Sequence, residues 1–146
     1  MPRPTIRILI ADDHEIVREG LRMLLEQEED LQVVGEAGDG EQAVRLAAVH
    51  HPDIVLMDVS MPKLDGVDAT SIITRPSANR PSSKVMAFPA MDPVPHAFAA
   101  LRAGASDFIL KPFRVTQILN AVRRGLERAN LQRENWVLRR ALLQRT

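Results

Sequence analysis

The sequence predicts a doubly wound α/β fold in which five parallel strands alternate with five helices. Short runs of apolar and β-branched residues recur along the chain, as is typical of strands that are buried on both faces. Segments with apolar residues at helical spacing lie between these runs, and right-handed crossovers then favour a parallel sheet with helices on both faces. The 146 residues are enough for one domain with a sizeable core.

The elements follow one another in a regular order. The predicted strands cover residues 5–11, 31–36, 54–58, 84–88 and 107–110, and the predicted helices cover residues 15–26, 41–49, 66–73, 95–103 and 113–144. In the first helix, Ile16, Leu21, Leu24 and Leu25 have helical spacing. The Pro/Ser-rich stretch 75–83 is predicted to be a surface loop.

Composition excludes several classes of protein. The chain has no cysteine, so disulfides and thiolate metal sites are excluded. Its apolar runs are too short to span a bilayer and no signal peptide is recognisable, so we expect a cytoplasmic protein without a membrane partner. The net charge of zero conceals an asymmetry, because residues 1–113 carry a net charge of −6 and residues 114–146 a net charge of +6.

Charged residues follow three of the predicted strands. Asp12 and Asp13 follow the first strand, Asp58 ends the third and Lys111 follows the fifth. The carboxyl ends of parallel strands meet at one edge, where open α/β sheets place their chemistry. Clustered carboxylates persist only if a cation lies among them or their pKa values rise, and for a cation the oxygen ligands favour Mg²⁺. The residue types therefore suggest phosphoryl transfer onto Asp58, with Lys111 holding a phosphoryl oxygen.

Other interpretations of the same residues remain open. Asp58 alone could simply cap the following turn. The charges could form a structural ion-pair cluster around Lys111, although buried clusters of this kind add little stability. A flavin site is a third alternative, but no Gly-rich loop follows the first strand and aromatic residues are few.

Five motifs, in order, resemble the receiver domains of bacterial two-component response regulators. The resemblance covers about residues 4–125 and rests on ILIADDH (8–14), EAGDGEQA (36–43), PDIVLMD (52–58), MPKLDG (61–66) and AGASDFILKP (103–112). It implies a flavodoxin-like (βα)5 fold in which Asp58 accepts a phosphoryl group from a histidine kinase or a small phosphodonor. The chain is then expected to be a signalling protein and not an enzyme.

The resemblance also assigns roles to individual residues. Mg²⁺ would be held by Asp12, Asp13, Asp58 and the backbone carbonyl of Ser60. Lys111 would contact the phosphoryl group, and the bond between Lys111 and Pro112 would be cis. Ala90 would also contact the phosphoryl group. Phe108 would occupy the family's aromatic switch position.

One position departs from the family pattern. Receivers place Thr or Ser at the end of the fourth strand, where its hydroxyl bonds the phosphoryl group, but this chain has Pro89. Proline offers neither a hydroxyl nor an N–H group. We expect that Asp58 is still phosphorylated while its coupling to the following loop is weakened or replaced. The alternative is a phosphorylation-independent receiver that acts as a constitutive dimerisation module.

The C-terminal segment is predicted to extend the last helix. Residues 1–125 would form the receiver domain, and residues 126–146 would form a coiled coil or a linker to an output domain absent from this chain. A short heptad seam predicts a homodimer and consists of Leu131, Asn135, Leu138 and Leu142. Direct nucleic-acid binding is not expected, because no recognition motif accompanies the arginines.

Overall fold

The computed structural model describes residues 5–59, 61, 63–75, 83–88, 99–108 and 116–124. The described strands are β1 (Ile6–Ala11), β2 (Leu31–Ala37), β3 (Ile54–Asp58), β4 (Lys84–Phe88) and β5 (Asp107–Phe108). The described helices are α1 (Glu15–Glu26), α2 (Gly40–His50), α3 (Gly66–Ile73), α4 (99–103) and α5 (116–124).

The five strands form one parallel sheet in the order β2-β1-β3-β4-β5. From β1 the chain passes to β2, which forms one side of the sheet. It then crosses back over β1 to β3, and continues to β4 and β5 on the other side. Ile8 of β1 pairs with Ile54 of β3, and Asp58 at the end of β3 pairs with Phe88 of β4. The predicted fold class, a doubly wound α/β fold of the flavodoxin-like type, is confirmed.

Alternate residues of the strands pack into two cores, one on each face of the sheet. Both cores exist because side chains along a strand point alternately to opposite faces. On one face, Ile8 and Ile10 lie in a cluster that includes Leu21 and Leu25 of α1 and Val122 of α5. The opposite face contains a cluster with residues from the strands and from α2, α3 and α4, including Leu9, Val55, Met57, Ala43, Ala69 and Ala100.

Only some of the apolar residues of α1 face the core. Ile16 is 83% exposed, whereas Val17 packs against the core together with Leu21 and Leu25. The buried positions are thus spaced by four residues, which places them on one side of the helix. Ile16 lies about one residue's rotation away from that stripe, so the helical spacing predicts the helix but not which of its apolar residues face the core.

The ends and the starts of the parallel strands define two opposite edges of the sheet. We call the edge formed by the strand ends Ala11, Ala37, Asp58 and Phe88 the carboxyl edge. The edge formed by the strand starts Ile6, Leu31, Ile54 and Lys84 is the amino edge.

In the parts of the chain that the structure describes, no helix is long and apolar enough to cross a membrane.

Candidate functional site

Two aspartates are buried at the carboxyl edge of the sheet. Asp58 is the last residue of β3, and Asp12 directly follows β1, the strand beside it. Their exposed fractions are only 2% and 1%. Neighbouring parallel strands that end at the same level bring these carboxylates together, although 46 residues separate them in sequence.

Asp13 and His14 complete a cluster with these two aspartates. One ligand atom from each of Asp12, Asp13, His14 and Asp58 lies within 4.8 Å of the others. The Nδ1 atom of His14 is 3.0 Å from Oδ1 of Asp12 and 3.0 Å from Oδ1 of Asp13. The backbone N–H of His14 also donates a hydrogen bond of 2.9 Å to Oδ1 of Asp12. The chain turns sharply here, so three consecutive residues reach one point.

Arg18 holds the backbone beneath this cluster. Its Nη1 donates a hydrogen bond of 2.6 Å to the carbonyl oxygen of Asp12. The N–H of Asp12 donates in turn to the carbonyl of Ala37 at the end of β2, at 3.0 Å. Both backbone polar groups of Asp12 are therefore fixed, which limits the positions that its carboxylate can take.

A pair of arginines links the same region to Glu36 of β2. Nε of Arg18 lies 3.6 Å from Oε1 of Glu36, and this buried nitrogen has no hydrogen-bond partner among the described residues. Arg22 donates a hydrogen bond of 2.9 Å to Oε2 of Glu36. This hydrogen bond, together with the charge of Glu26, raises the pKa of Arg22. Arg18 thus connects the backbone of Asp12 with the side chain of Glu36 on β2.

Two glycines shape the loops around Asp58. A Cβ atom on Gly66 would collide with the carbonyl oxygen of Asp58, and one on Gly40 would collide with the carbonyl oxygen of Leu64. The N–H of Gly66 donates to the carbonyl of Val59 at 2.9 Å. Close backbone approaches of this kind require glycine, so the loop after β3 is tied both to Asp58 and to the start of α2.

Two further aspartates near this edge are helix caps. Asp39 accepts a hydrogen bond of 2.8 Å from the N–H of Gln42 at the start of α2. Asp65 accepts one of 2.9 Å from the N–H of Asp68 at the start of α3. The hydrogen bond from Gln42, supported by the nearby Lys63, holds the pKa of Asp39 below its usual value. In both cases the side chain accepts from the N–H three residues later, which is the hydrogen bond typical of a helix N-cap. Both aspartates therefore have structural roles.

The structure locates some of the predicted site residues. Asp12, Asp13 and Asp58 come together as the strand ends require, and Phe108 lies in β5, partly packed against the second core. The remaining predicted positions lie outside the described residues, namely Ser60, Pro89, Ala90, Lys111, Pro112, Leu131, Asn135, Leu138 and Leu142.

The contacts of His14 and Arg18 were missed by the sequence analysis. His14 directly follows the aspartate pair, which is a local signal that could have been used. Arg18 lies a full turn inside α1, and no local pattern predicts that its side chain returns to the carbonyl of Asp12. Only the packing of α1 against the strand ends shows this contact.

The donor set suits a small, hard divalent cation. Three carboxylates gather at one point of the described structure, and carboxylate oxygens are the ligands that Mg²⁺ prefers. Mg²⁺ commonly uses one or two protein carboxylates and leaves positions for water and a phosphate group. The residues present therefore fit the ion that the resemblance implies.

The fold and this site define a class, namely doubly wound α/β domains with an acidic pocket at the carboxyl edge of a parallel sheet. The family model described as "Response regulator receiver domain" matches residues 8–123. The chain therefore belongs to the response regulator receiver family, and the resemblance identified from its motifs is confirmed.

Individual relatives support this assignment. The chain is 40% identical to the transcriptional regulatory protein LiaR of Bacillus subtilis over 118 residues, which is 81% of this chain and 54% of that protein. It is 41% identical to the transcriptional regulatory protein PdtaR of Mycobacterium tuberculosis H37Rv, covering 84% and 57%. The chain thus spans about half the length of the curated relatives that it matches.

Solved structures agree. The signal receiver domain of the putative response regulator NarL from Mycobacterium tuberculosis is 32% identical, with a TM-score of 0.78, and the match covers 86% of this chain and 98% of that one. The response regulator domain of Thermotoga maritima CheB is 30% identical, with a TM-score of 0.74 and coverage of 84% and 97%.

Proposed function

We propose that this receiver accepts a phosphoryl group on Asp58 and thereby relays a signal from a histidine kinase in the cytoplasm. The observation that carries the proposal is the position of Asp58, buried at the end of β3 beside Asp12 and Asp13. A lone buried aspartate would suit a cap, whereas three carboxylates gathered at one point suit a bound cation and a phosphoryl group.

In the proposed reaction, a carboxylate oxygen of Asp58 attacks the phosphorus atom of the donor. The new bond joins that oxygen to phosphorus, and the bond between phosphorus and the donor's leaving group breaks, so the leaving group keeps the electron pair. Asp58 is well suited to this role because its backbone is fixed by pairing within β3 and β4 and by the close approach of Gly66. Preorganisation of this kind lowers the barrier by positioning the reacting atoms.

The other carboxylates would hold the cation. Asp12, Asp13 and Asp58 are the side chains that would bind Mg²⁺, with the carbonyl of Ser60 added by the resemblance. When bound, the ion supplies positive charge that offsets the charge of the phosphoryl oxygens. Hydrogen bonds with Arg18 and Ala37 fix the backbone of Asp12, so the position of its carboxylate is preorganised for an ion. Lys111 is proposed to contact the phosphoryl group.

The chain itself is proposed to be a signalling component without turnover on external substrates. The proposed partners are a sensor histidine kinase as phosphodonor and an output domain or partner protein as receiver of the signal. A homodimer through the predicted seam of residues 131–142 would transmit the change. Phosphorylation replaces the single charge of the Asp58 carboxylate with a bulkier phosphoryl group that carries about −1.5 to −2 at neutral pH, and this change is proposed to shift a two-state equilibrium.

Intact mass spectrometry tests the proposal. The chain is incubated with acetyl phosphate, with and without Mg²⁺, and its mass is compared with that of Asp58→Asn. We expect one added phosphoryl group that requires Mg²⁺ and is absent in the variant. Asp53→Asn is the matched control, since Asp53 is also buried but lies at the amino edge, and the variant should be phosphorylated normally. Phosphorylation of Asp58→Asn to the same extent would refute the proposal.

Pro89 favours a second candidate function, a phosphorylation-independent module that dimerises constitutively. Size-exclusion chromatography of the same samples separates the two. A change in oligomeric state that accompanies the mass gain supports the phosphorylation-dependent switch. A constant dimer with no mass gain supports the second candidate. If the missing hydroxyl is the cause, Pro89→Thr should then gain a phosphoryl group and change its oligomeric state on treatment with acetyl phosphate.

A further inference from the structure

Two threonines lie one turn apart at α3, and both direct their hydroxyl groups back onto the helix. Oγ1 of Thr70 donates a hydrogen bond of 2.6 Å to the carbonyl of Gly66, and Oγ1 of Thr74 donates one of 2.7 Å to the carbonyl of Thr70. Bonds of this kind slightly destabilise and often bend a helix, and Thr is not a strong helix former. Helix formation therefore does not explain why threonine occupies these two positions.

Thr74 also contacts a second helix. Its hydroxyl donates a hydrogen bond of 3.0 Å to the carbonyl of Ala103, the last residue of α4. The last carbonyls of a helix have no partner within it, so Thr74 supplies a donor from outside α4. A Cβ atom on Gly104, the next residue, would collide with Oγ1 of Thr74. The end of α4 thus fits closely around this one hydroxyl group.

The two acceptors of Thr74 respond differently to a movement of α3. A hydroxyl carries one proton, so the carbonyls of Thr70 and Ala103 compete for it. The carbonyl of Thr70 moves with α3, whereas that of Ala103 belongs to another element. The backbone N–H of Thr74 also donates to Thr70, at 3.0 Å, so that carbonyl keeps a partner in either case. A small shift of α3 can therefore make or break the bond to Ala103 without unfolding either helix.

The start of α3 is held against the proposed phosphoacceptor. The N–H of Gly66 donates to the carbonyl of Val59 at 2.9 Å, and a Cβ on Gly66 would collide with the carbonyl oxygen of Asp58. The helix has eight residues and is therefore only about 12 Å long. Its hydrogen bonds keep so short a segment rigid, so a displacement at its start also moves its end. A bulky, charged group on Asp58 would thus act on α3 directly.

The strand beside Asp58 offers no such connection through its next residue. Phe88, the last residue of β4, pairs with Asp58, and Pro89 follows it. Proline has neither a hydroxyl nor an N–H group with which to hold a phosphoryl oxygen. By contrast, α3 touches the backbone of Asp58 at one end and the end of α4 at the other.

We propose that the hydroxyl of Thr74 couples phosphorylation of Asp58 to the end of α4, by a route that does not pass through Pro89. The proposal rests on the proposed function, since Asp58 must accept the phosphoryl group. Phosphorylation displaces α3, and the hydrogen bond between Thr74 and Ala103 changes with it. Thr74 acts through α3 and is therefore a positioning residue.

The residues after α4 carry this change toward β5. The N–H of Ala105 donates to the carbonyl of Ala100 at 3.0 Å, and that of Ser106 donates to the carbonyl of Val85 in β4 at 2.8 Å. Both bonds belong to the short connection between Ala103 and β5. A change at the carbonyl of Ala103 therefore alters the surroundings of the neighbouring N–H groups.

Amide NMR spectra of the full chain, recorded with Mg²⁺ before and after addition of excess acetyl phosphate, test the coupling. The N–H groups of Val59 and Gly66 are the start reporters, and those of Gly104 and Ala105 are the end reporters. In the wild type we expect phosphorylation to shift the resonances of both sets. Thr74→Val keeps the shape of threonine but removes the hydroxyl. In this variant the shifts of the end reporters should fall by about twofold or more, while those of the start reporters persist.

Three further variants separate coupling from a merely structural role. Thr74→Ser keeps the hydroxyl and should respond like the wild type. Thr70→Val is the matched control, because it removes a hydroxyl whose bond stays within α3, and its end reporters should shift as in the wild type. Thr74→Ala should show the same loss as Thr74→Val, and it keeps the test valid if Thr74→Val does not fold.

Three results would overturn the proposal. The first is a response of the end reporters in Thr74→Val or Thr74→Ala that equals that of the wild type. The second is the same loss in Thr70→Val, since the integrity of α3 and not its contact with α4 would then be responsible. The third is a phosphorylated wild type in which the start reporters shift and the end reporters do not.

Failure of this proposal differs from failure of the proposed function. If Asp58 is not the acceptor, the mass gain is missing and no reporter shifts in the wild type, so both proposals fall. If only the role of Thr74 is wrong, the mass gain and the shifts of the start reporters are present, and removal of the Thr74 hydroxyl changes nothing at the end reporters.

Discussion

The amino and carboxyl edges of the sheet both bury aspartates, in opposite surroundings. At the amino edge, Asp53 accepts a hydrogen bond of 2.9 Å from the N–H of Arg7 and joins β1 to the start of β3. At the carboxyl edge, Asp12 and Asp58 are buried beside each other and beside Asp13. The carboxylate of Asp53 accepts from a backbone N–H of a neighbouring strand and stabilises the fold, whereas a group of several carboxylates at one point favours a bound cation. The same residue type thus stabilises the fold at one edge, and at the other it forms the site for which we propose phosphoryl transfer.

The amino edge shows how completely acids can be used for structure. The N–H of Asp53 also donates to the carbonyl of Arg7 at 2.8 Å, and the carbonyl of Asp53 accepts from the N–H of Lys84 at 3.0 Å. Asp30 accepts a hydrogen bond of 2.8 Å from Nη1 of Arg123 in α5, and this bond raises the pKa of Arg123. These contacts connect the described part of the last helix to the turn before β2. Nothing in them requires a ligand.

The largest effect on stability is expected at the amino edge. Asp53→Ala leaves the partly buried N–H of Arg7 without this acceptor, so the free energy of unfolding should fall by about 1–3 kcal/mol. Chemical denaturation measures the fall, and the mass gain with acetyl phosphate should persist under native conditions. A variant that keeps wild-type stability would break the comparison, because Asp53 would then not be structural.

Arg18 provides a test of how the carboxyl edge is organised. Removal of a cation near a metal pocket should strengthen Mg²⁺ binding by electrostatics alone. Because Arg18 fixes the carbonyl of Asp12, we expect the opposite, a roughly tenfold weaker Mg²⁺ affinity in Arg18→Ala, as is typical when an outer-shell partner is lost.

Arg22→Ala is the matched control for Arg18, measured by the same Mg²⁺ titration. Arg22 also pairs with Glu36 and carries the same charge, but its ion pairs are with Glu26 and Glu36 and not with the aspartate cluster. Its Mg²⁺ affinity should stay within about twofold of the wild type, since exposed ion pairs contribute little. Tighter Mg²⁺ binding by Arg18→Ala would mean that charge, not position, is the main contribution of Arg18.

Asp58→Asn should change stability in the direction opposite to Asp53→Ala. Without divalent ions, the substitution removes one of several neighbouring negative charges, and the free energy of unfolding should rise by on the order of 1 kcal/mol. Addition of Mg²⁺ should then stabilise the variant less than the wild type. Thermal unfolding with chelator and with Mg²⁺ measures both. A loss of stability as large as that of Asp53→Ala would contradict the proposed difference between the edges.

The smallest effect concerns Asp39, an acid near the carboxyl edge that belongs to a helix cap. Because its folded-state pKa is lowered, its contribution to stability is present above its usual pKa and is lost as the pH falls through the lowered value. Asn also caps helices. Asp39→Asn should therefore be slightly less stable at neutral pH, and the difference should vanish in acid. Acid titration of unfolding measures this, and a difference that grows in acid would show that Asp39 does not act as a charged cap.

Much of the fold followed from local patterns, because buried strands and helical spacing are properties of short segments. The strands β1, β3 and β4 fall within one residue of their predicted ranges, and α1 and α3 coincide with theirs. The gathering of Asp12, Asp13 and Asp58 was also predictable, since parallel strands must end at the same edge. The exposure of Ile16 could not be predicted, because apolar spacing alone does not decide which neighbouring stripe faces the core.

What escaped prediction depends on contacts between elements. The reach of Arg18 to the backbone of Asp12 depends on the depth to which α1 packs over the strand ends. The turn of His14 toward two carboxylates depends on the backbone angles of one loop residue. Likewise, the need for glycine at positions 40 and 66 arises from backbone that comes close only in the folded chain.

The measurement that tests the central claim most directly is the location of the phosphoryl group. Sodium borohydride reduces an aspartyl phosphate to homoserine, which tandem mass spectrometry assigns to one position of the chain. After treatment with acetyl phosphate and Mg²⁺, we expect the modified residue at position 58 and at no other aspartate. Modification at Asp12, Asp13 or Asp53, or no modification under conditions in which the chain is folded and Mg²⁺ is present, would contradict the account.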